Sequence, residues 1–513
     1  MAQDSAEKAD GLGSIAVRRQ RLHKLVDRIA DGCENFDGSF FAFEKKLRKH
    51  VWMLARLLIG LFLLAAHQRL QREDKCYPGY RLFKRPKRRT LQTMFGKVRY
   101  KRAYWVKRHG GGGFHPLDAK LGLTRDGFSP WVISLACRLS TYLSYAKTTL
   151  VMKAFWGWSP STETAEQWVL GLAREGAAYM ASSPPFPKKD GEVLVIEIDG
   201  KAVPTAREEE LAKRRGPRHK ANCTCGCQRH RGQAKRRRSK QKGGKKRRKR
   251  GDKSKNGRSA TLVAMYTLSR GEDGKLHGPI NKRVWGSFAS RKKMIKWARA
   301  EATRRGFGPK TDRLVQIVCD GERCFAKRLA KLFRKALITL DIRHLEERVW
   351  LAGRSFHPEG SPELAAWVES LRNVLYEQGG KALMARLKKL REQIVCRGPG
   401  TKRKRDALDK LIKYLKPRKK MTRYAEWIKQ DLVIASGVIE GAVRYVIGER
   451  MDCSGMRWIE GKAEAILHLR CIEVNGLWDH FFEWSHKRWH DRLRNQESVQ
   501  IRTDKPLEVA EAA

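Results

Sequence analysis

The sequence holds no apolar run long enough to cross a bilayer. Its best stretch, Leu57 to Ala66, follows Arg56 directly and is about half of the roughly 20 residues a spanning helix needs, so a buried helix and no membrane partner are expected. An export signal is also lacking: MAQDSAEKAD opens polar and acidic where such a signal is basic and then apolar, and the expectation is a cytoplasmic, nucleoid-associated protein. The 11 cysteines are odd in number and mostly scattered singly, which excludes a disulfide framework in a chain of this size. Acid is scarce. Against 110 Lys plus Arg stand 54 Asp plus Glu, a net charge of +56 far beyond what solubility requires, so the expected partner is a polyanion, with nucleic acid foremost.

What is present suits folding. At 513 residues with 41% hydrophobic residues, 15 Trp and 18 Phe, the chain can bury the cores of two or more domains. Residues 1–74 read as a helical N-terminal region, with apolar positions at helical spacing from Phe36 to Leu70. Within 75–182, TLQTMF and VRYKRAYWV about Gly96-Lys97 read as a hairpin carrying Lys97, Arg99, Lys101 and Arg102. SPSTETAEQWVLGLARE then resembles a turn feeding a helix capped by Ser161 or Thr162. Two readings stand for that region: a helix-turn-helix offering Glu166, Gln167 and Trp168 to base edges, or two ordinary packed helices.

After the linker SSPPFPKKDG, the run EVLVIEI starts a buried strand. Residues 201–258 carry 24 Lys or Arg against 4 acids, a composition in which no core is expected. Arg236, Arg237, Arg238, Lys245, Lys246, Arg247 and Arg248 there are candidate phosphate contacts. The order from 190 to 345 then reads β, β, β, α, β, α, β. This suits a mixed five-stranded sheet with helices on its faces, the ribonuclease-H-like arrangement. Residues 346–430 read as helical, 431–475 as a return to the core, and 476–513 as a C-terminal helix and tail. The expected fold class is a multidomain α/β protein: a ribonuclease-H-like mixed-sheet core with a helical insertion, preceded by an α+β DNA-binding region.

Asp199 and Asp320 each close an apolar run and precede a glycine, in IEIDG and IVCDG, so neighbouring strands would bring both carboxylates to one sheet edge. Asp-Gly most often marks a hairpin turn. Here, however, Asp199 leads into the basic insert and Asp320 into the helical pattern ERCFAKRLAKLFRKA, and neither run is followed by the returning strand a hairpin needs. Glu440 lies in ASGVIEGAVRYVIGERM, where Ser436 is placed to cap a helix and Gly437, Gly441 and Ala442 leave little bulk, so the helix is expected to press close to a sheet. Two-metal phosphodiester chemistry requires carboxylates converging from different elements, and Asp, Asp and Glu meet that need.

LQTMFGKVRYKRAYW, GFHPLDAKLGL, VIEIDGKAVPT, VCDGER, DIRH at 341–344, SGVIEGAVRYVIGERM and SGMRW together resemble the ISKra-type insertion-sequence transposases over about residues 75 to 475. The resemblance implies a DDE transposase acting on its own element's DNA ends and on target DNA, as a homodimer or higher oligomer. Asp199, Asp320 and Glu440 would hold Mg2+ or Mn2+. It also implies that the long spacing of 120 residues from Asp320 to Glu440 holds a helical insertion, a role residues 346–430 fit, and places Asp341-x-x-His344 near the site, with His344 as a candidate catalytic group. The chain departs from the family in its long insert, whose Cys223, Cys225, Cys227 and His230 offer soft ligands for Zn2+ in a crowded spacing. Two other classes remain open: a non-catalytic basic nucleic-acid-binding protein, and a metal-dependent nuclease or resolvase on the same fold.

Overall fold

The computed structural model describes residues 14–73, 77, 79–109, 112–182, 184–206, 257–321, 323–453 and 456–494. The chain divides into two compact units, residues 1–184 with 468–513, and residues 185–467. The C-terminal helix therefore belongs with the N-terminal region, and the second unit ends at Leu467, short of the expected 475.

In the first unit, α1 (Ile15–Glu34) and α2 (Phe40–Arg72) precede the antiparallel hairpin of β2 (Lys87–Thr93) and β3 (Gly96–Arg102). A small sheet joins β1 (Tyr80–Leu82), β4 (Trp105–Lys107) and β5 (Gly113–Phe114). One face of α2 supplies Leu63 and Ala66 to a cluster with Leu91, Val98, Tyr100 and Leu117. The expected buried helix is therefore buried on one side only: Leu58 and Phe62 are 50% and 52% exposed. The helix is 33 residues long, and by length and composition it is long and apolar enough to cross a membrane, because the apolar run extends in helical form well beyond Leu57–Ala66.

Strand alternation divides the basic hairpin. Lys97 and Arg99 are exposed and Lys101 lies on the same outer face, whereas Val98, Tyr100 and Arg102 turn inward. Arg102, expected to face DNA, instead pairs with buried Asp118. Asp118 also accepts hydrogen bonds from Arg89 and from the Tyr100 hydroxyl, both at 2.7 Å. Burial and then neighbouring Arg89 hold Arg102 down at about 10, against the pull of Tyr100.

The helices α3 (Pro116–Leu121), α4 (Pro130–Tyr142), α5 (Tyr145–Trp156) and α6 (Thr162–Ala181) follow. Ser161 caps α6 as expected, its Oγ accepting from the Thr164 amide at 3.0 Å. Trp168, expected at base edges, is 1% exposed, donates to Asp126 at 3.2 Å and meets Phe128 edge-on. An indole is too large to leave solvated when the helix face beneath it is apolar, so it belongs to the core. Gln167 is half-buried, one position around from that face.

The second unit is built on a five-stranded sheet in the order β10-β9-β6-β7-β8. Its strands are β6 (Val193–Pro204), β7 (Gly257–Arg270), β8 (Leu276–Ser287), β9 (Val315–Cys319) and β10 (Ala336–Leu340). The β6–β7 and β7–β8 pairs are antiparallel, while β6–β9 and β9–β10 are parallel. Continuous apolar runs in β6, β7 and β9 mark strands covered on both faces. α7 (Arg291–Arg304) and α8 (Arg323–Ala330) are the intervening helices. The expected order of elements holds, and the unit is a mixed α/β fold.

One expectation fails at β6. The strand does not end at Asp199 but runs on to Pro204, and it pairs with β7 as far as Gly257. The insert is thus the connection of a long hairpin, and its first residues reach the core, with Val203 fully buried. The polar composition downstream masked this, because a strand with a partner tolerates alternation that a lone run does not. Between the sheet and Glu440 come α9 (Ile342–Gly353), α10 (Pro362–Glu392, broken at Gly379), α11 (Thr401–Leu415), a 3-10 turn at Lys416–Met421 and α12 (Tyr424–Ile428), the helical block expected there.

Candidate active site

Asp199 and Asp320 come together through strand register. Ile198 of β6 pairs with Cys319 of β9 in parallel, so the two aspartates follow on adjacent strands about 4.8 Å apart. Asp199 lies where β6 loses its parallel neighbour, which is why mid-strand backbone still presents its carboxylate at an edge. Both line a cleft of about 30 Å3 with Thr261, Arg291, Cys319 and Phe325, room for one or two water-sized occupants. Burial first, then the charges of Asp320 and Asp341, raise the Asp199 pKa, against a 2.6 Å hydrogen bond from the Gly200 amide and the charge of His344.

The Asp320 loop is braced by the helical block. The Tyr414 hydroxyl donates to the Asp320 carbonyl at 3.4 Å, and Arg418 donates to the Gly321 carbonyl through Nε at 3.2 Å and Nη2 at 2.8 Å. Gly321 has φ +96°, and a Cβ there would meet Tyr414 Oη at 2.6 Å. Gly321→Ala is therefore expected to cost about 1 to 3 kcal/mol, read as a lower urea midpoint with an unchanged slope.

Glu440 rides on α13 (Gly437–Val443), which continues through a π turn at Arg444–Gly448. Ser436 does not cap this helix through its side chain. Its Oγ donates to Asp341 Oδ2 at 2.7 Å, and its amide to Asp341 Oδ1 at 3.3 Å. The capping acceptor is instead Glu197, which takes the Ile439 amide at 2.6 Å and the Tyr266 hydroxyl at 2.6 Å. A carboxylate from the sheet thus satisfies an orphan amide at the helix start and complements its dipole. Gly437 and Gly441 do not serve close packing, since a Cβ at Gly437 would meet nothing within 4 Å and one at Gly441 only a tyrosine edge at 3.9 Å. Their effect is open space around Glu440.

Asp341 joins the two parts. Fully buried, it accepts from Ser436, from the Arg343 amide at 3.1 Å and from His344 Nδ1 at 2.6 Å. Burial pushes its pKa up, but the hydrogen bonds from His344, Ser436 and Arg343 outweigh this and hold it low. The Asp341 hydrogen bond in turn lifts His344 to about 9, against burial and with help from the charges of Asp341, Glu347 and Asp320. Ligand atoms of Asp341, His344 and Glu440 all lie within 4.8 Å of one another, and both Asp341 and His344 act on Asp199. The three acids singled out from the sequence thus fall in one neighbourhood, with His344 among them.

Glu197 was missed. Its pKa is pushed up to about 7 by burial, with the charges of Asp341 and Glu440 adding and the Tyr266 and Ile439 hydrogen bonds opposing. The available signal was an acid two residues before Asp199, on the same face of a strand otherwise apolar. The residues fit a divalent metal: ligand atoms of Asp341, His344 and Glu440 converge, and like charges of the kind that raise the Asp199 pKa are what a cation relieves. Within that group both oxygens of Asp341 already accept hydrogen bonds. The candidate zinc residues Cys223, Cys225, Cys227 and His230 and the basic residues from Arg236 to Arg248 lie outside the described residues.

A family described as "Uncharacterised protein family (UPF0236)" matches residues 39–220. No curated protein matches the chain. Among solved structures, the chain is weakly similar to a transposase, the "Drosophila P element transposase strand transfer complex", at 13% identity over 70% of this chain and 95% of that one, with a TM-score of 0.28.

Proposed function

We propose that this chain is a DDE-type DNA transposase of an ISKra-type bacterial insertion sequence, on a ribonuclease-H-like core, cutting transposon ends and joining the freed 3′-hydroxyl to target DNA. The observation that carries the reading is the meeting of acids from three elements. Asp199 on β6 and Asp320 just past the end of the parallel strand β9 line one cleft, and a helix returning after a helical block adds Glu440 beside Asp341 and His344. The strand order, with β6 central and β7 antiparallel to it, supports the fold assignment, and the motifs running from residue 75 to 475 support the family.

Two ions of the Mg2+ or Mn2+ kind, held by Asp199, Asp320 and Glu440, would lower the pKa of the attacking oxygen and stabilise the leaving one. Arg291, lining the cleft, would serve as a counter-charge to the phosphate. His344, with Nδ1 occupied by Asp341, keeps Nε2–H on the far side of the ring as a donor to a phosphate oxygen. Asp341 and Glu197 act as positioning residues, the first through Ser436 and the second at the helix start. In the first step water adds at phosphorus and the P–O3′ bond breaks, giving a 3′-hydroxyl and a 5′-phosphate. In the second that hydroxyl attacks a target phosphodiester, forming a new P–O3′ bond as the target's own P–O3′ bond breaks and its 3′-hydroxyl leaves, with no covalent protein intermediate. Mixing purified protein, Mg2+, a duplex carrying the element's ends and a target plasmid should yield end-joined plasmid. Cleavage without joining would favour a nuclease or resolvase, and no cleavage a non-catalytic binder.

DNA contacts divide between hairpin and insert. Lys97, Arg99 and Lys101 on the outer hairpin face would track phosphates, with Gln167 as the base-reading candidate. Deleting residues 233–250, where 12 of 18 are Lys or Arg, should weaken binding to all sequences alike. The log–log salt slope should flatten by roughly 0.9 for each duplex phosphate that the protein no longer neutralises. An unchanged slope by fluorescence anisotropy would remove the insert from the DNA interface. The protein would act on DNA as a dimer or larger assembly.

A further inference from the structure

Outside the acidic cluster, the helical block holds a cleft of about 910 Å3 between α9 and α11. Its rim is basic: Arg348, Arg354, Lys402, Arg403 and Lys410 line it against one acid, Asp406. Its floor is apolar, with Ala352, Leu411 and Leu351, which is left 62% exposed. A solvated charged face does not need such a floor, and an apolar docking groove does not need such a rim.

The cations are arranged along a track. Lys402, Asp406, Lys410 and Tyr414 recur every four residues along α11 and all line the cleft, a track that winds gradually round the helix and runs about 18 Å along it from first to last. Lys402 and Lys410 are exposed, with no ion pair among the described residues. The track ends at the chemistry, since Tyr414 donates to the Asp320 carbonyl and its ring is stacked against Arg348 at 3.9 Å and Arg418 at 4.0 Å.

A duplex presents phosphates outward and hides its base faces, so it would gain nothing from the Leu351 floor. An unpaired strand offers both phosphates and apolar base faces. We propose that this cleft binds an unpaired stretch of a nucleic-acid strand, a few nucleotides long, with phosphates on Lys402, Lys410 and Arg348 and bases on the Leu351 floor. That the strand is the one leading to the scissile phosphate rests on the reading of the acidic cluster above. That the cleft takes unpaired strand does not.

The test uses the full chain with chelator present, so that binding is read without catalysis. Fluorescence anisotropy follows an oligodeoxythymidine and a mixed-sequence duplex of equal length across a salt series. For Lys402→Ala/Lys410→Ala, the log–log slope on the single strand should fall by about 1.4, from roughly 0.7 for each of the two phosphates released, with the duplex slope unchanged. Leu351→Ser should lower single-strand affinity several-fold without changing the slope. An unchanged single-strand slope, or an equal fall on the duplex, would overturn the proposal, the latter marking a general phosphate patch. If alanine variants of the acidic cluster still cut DNA, the catalytic reading fails while this result stands.

Discussion

Alanine at Asp199, Asp320 or Glu440 is expected to lower metal-dependent strand cleavage by roughly 10^3-fold or more, since several kcal/mol of transition-state stabilisation leave with a metal ligand. DNA affinity should persist, because the net charge of +56 is hardly altered by the loss of one acid. A second signature separates a metal ligand from a structural acid. In the folded protein Asp199 is harder to ionise than in the unfolded chain, through burial and its neighbours Asp320 and Asp341. Its charge therefore works against folding when no metal is bound. Asp199→Asn should melt no lower than wild type in chelator, and Mg2+ should stabilise wild type but not the variant. Scanning calorimetry with and without Mg2+ decides it. A variant that melts far below wild type in chelator would make Asp199 a structural residue.

Asp341→Ala is expected to destabilise the second unit by about 3 kcal/mol or more, because it strips acceptors from a buried network and leaves His344 and Ser436 without their partner. Activity should fall with it, since Ser436 starts the helix that delivers Glu440. The His344 titration should move from about 9 towards its ordinary 6.5, which imidazole NMR resonances would follow. The pH dependence has a definite sign. His344 in the folded chain binds its proton more tightly than in the unfolded chain, so the stabilisation is complete below about pH 6.5 and is lost as pH rises through about 9. The stability difference between wild type and His344→Gln in metal-free protein should close over that window. A difference that grew with pH would mean that His344 is held neutral.

Some of this was legible because the forces are local. The runs VLVIEI, TLVAMY and VQIVC are dense in β-branched side chains and announce buried strands on their own. Ser161 caps its helix because a cap is a contact over three residues. The single-sided burial of α2 and the inward turn of Arg102 were not legible. Each depends on which neighbour occupies a face, and Asp118, the partner that draws Arg102 inward, arrives 16 residues later in the chain.

The candidate site divides in the same way. Residue type and spacing pointed to Asp199, Asp320 and Glu440, because acids beside apolar runs conflict with their surroundings and a sequence displays that conflict directly, while the Asp341–His344 pair was marked only by the family resemblance. Tertiary structure alone decided how they are held. Glu197, an acid inside a strand, became the cap of a helix 242 residues away, and Ser436, expected to cap that helix itself, turned its hydroxyl to Asp341. A buried carboxylate takes whichever donors the packed fold brings within reach, and donors that far apart in the chain meet only after the sheet has closed over them.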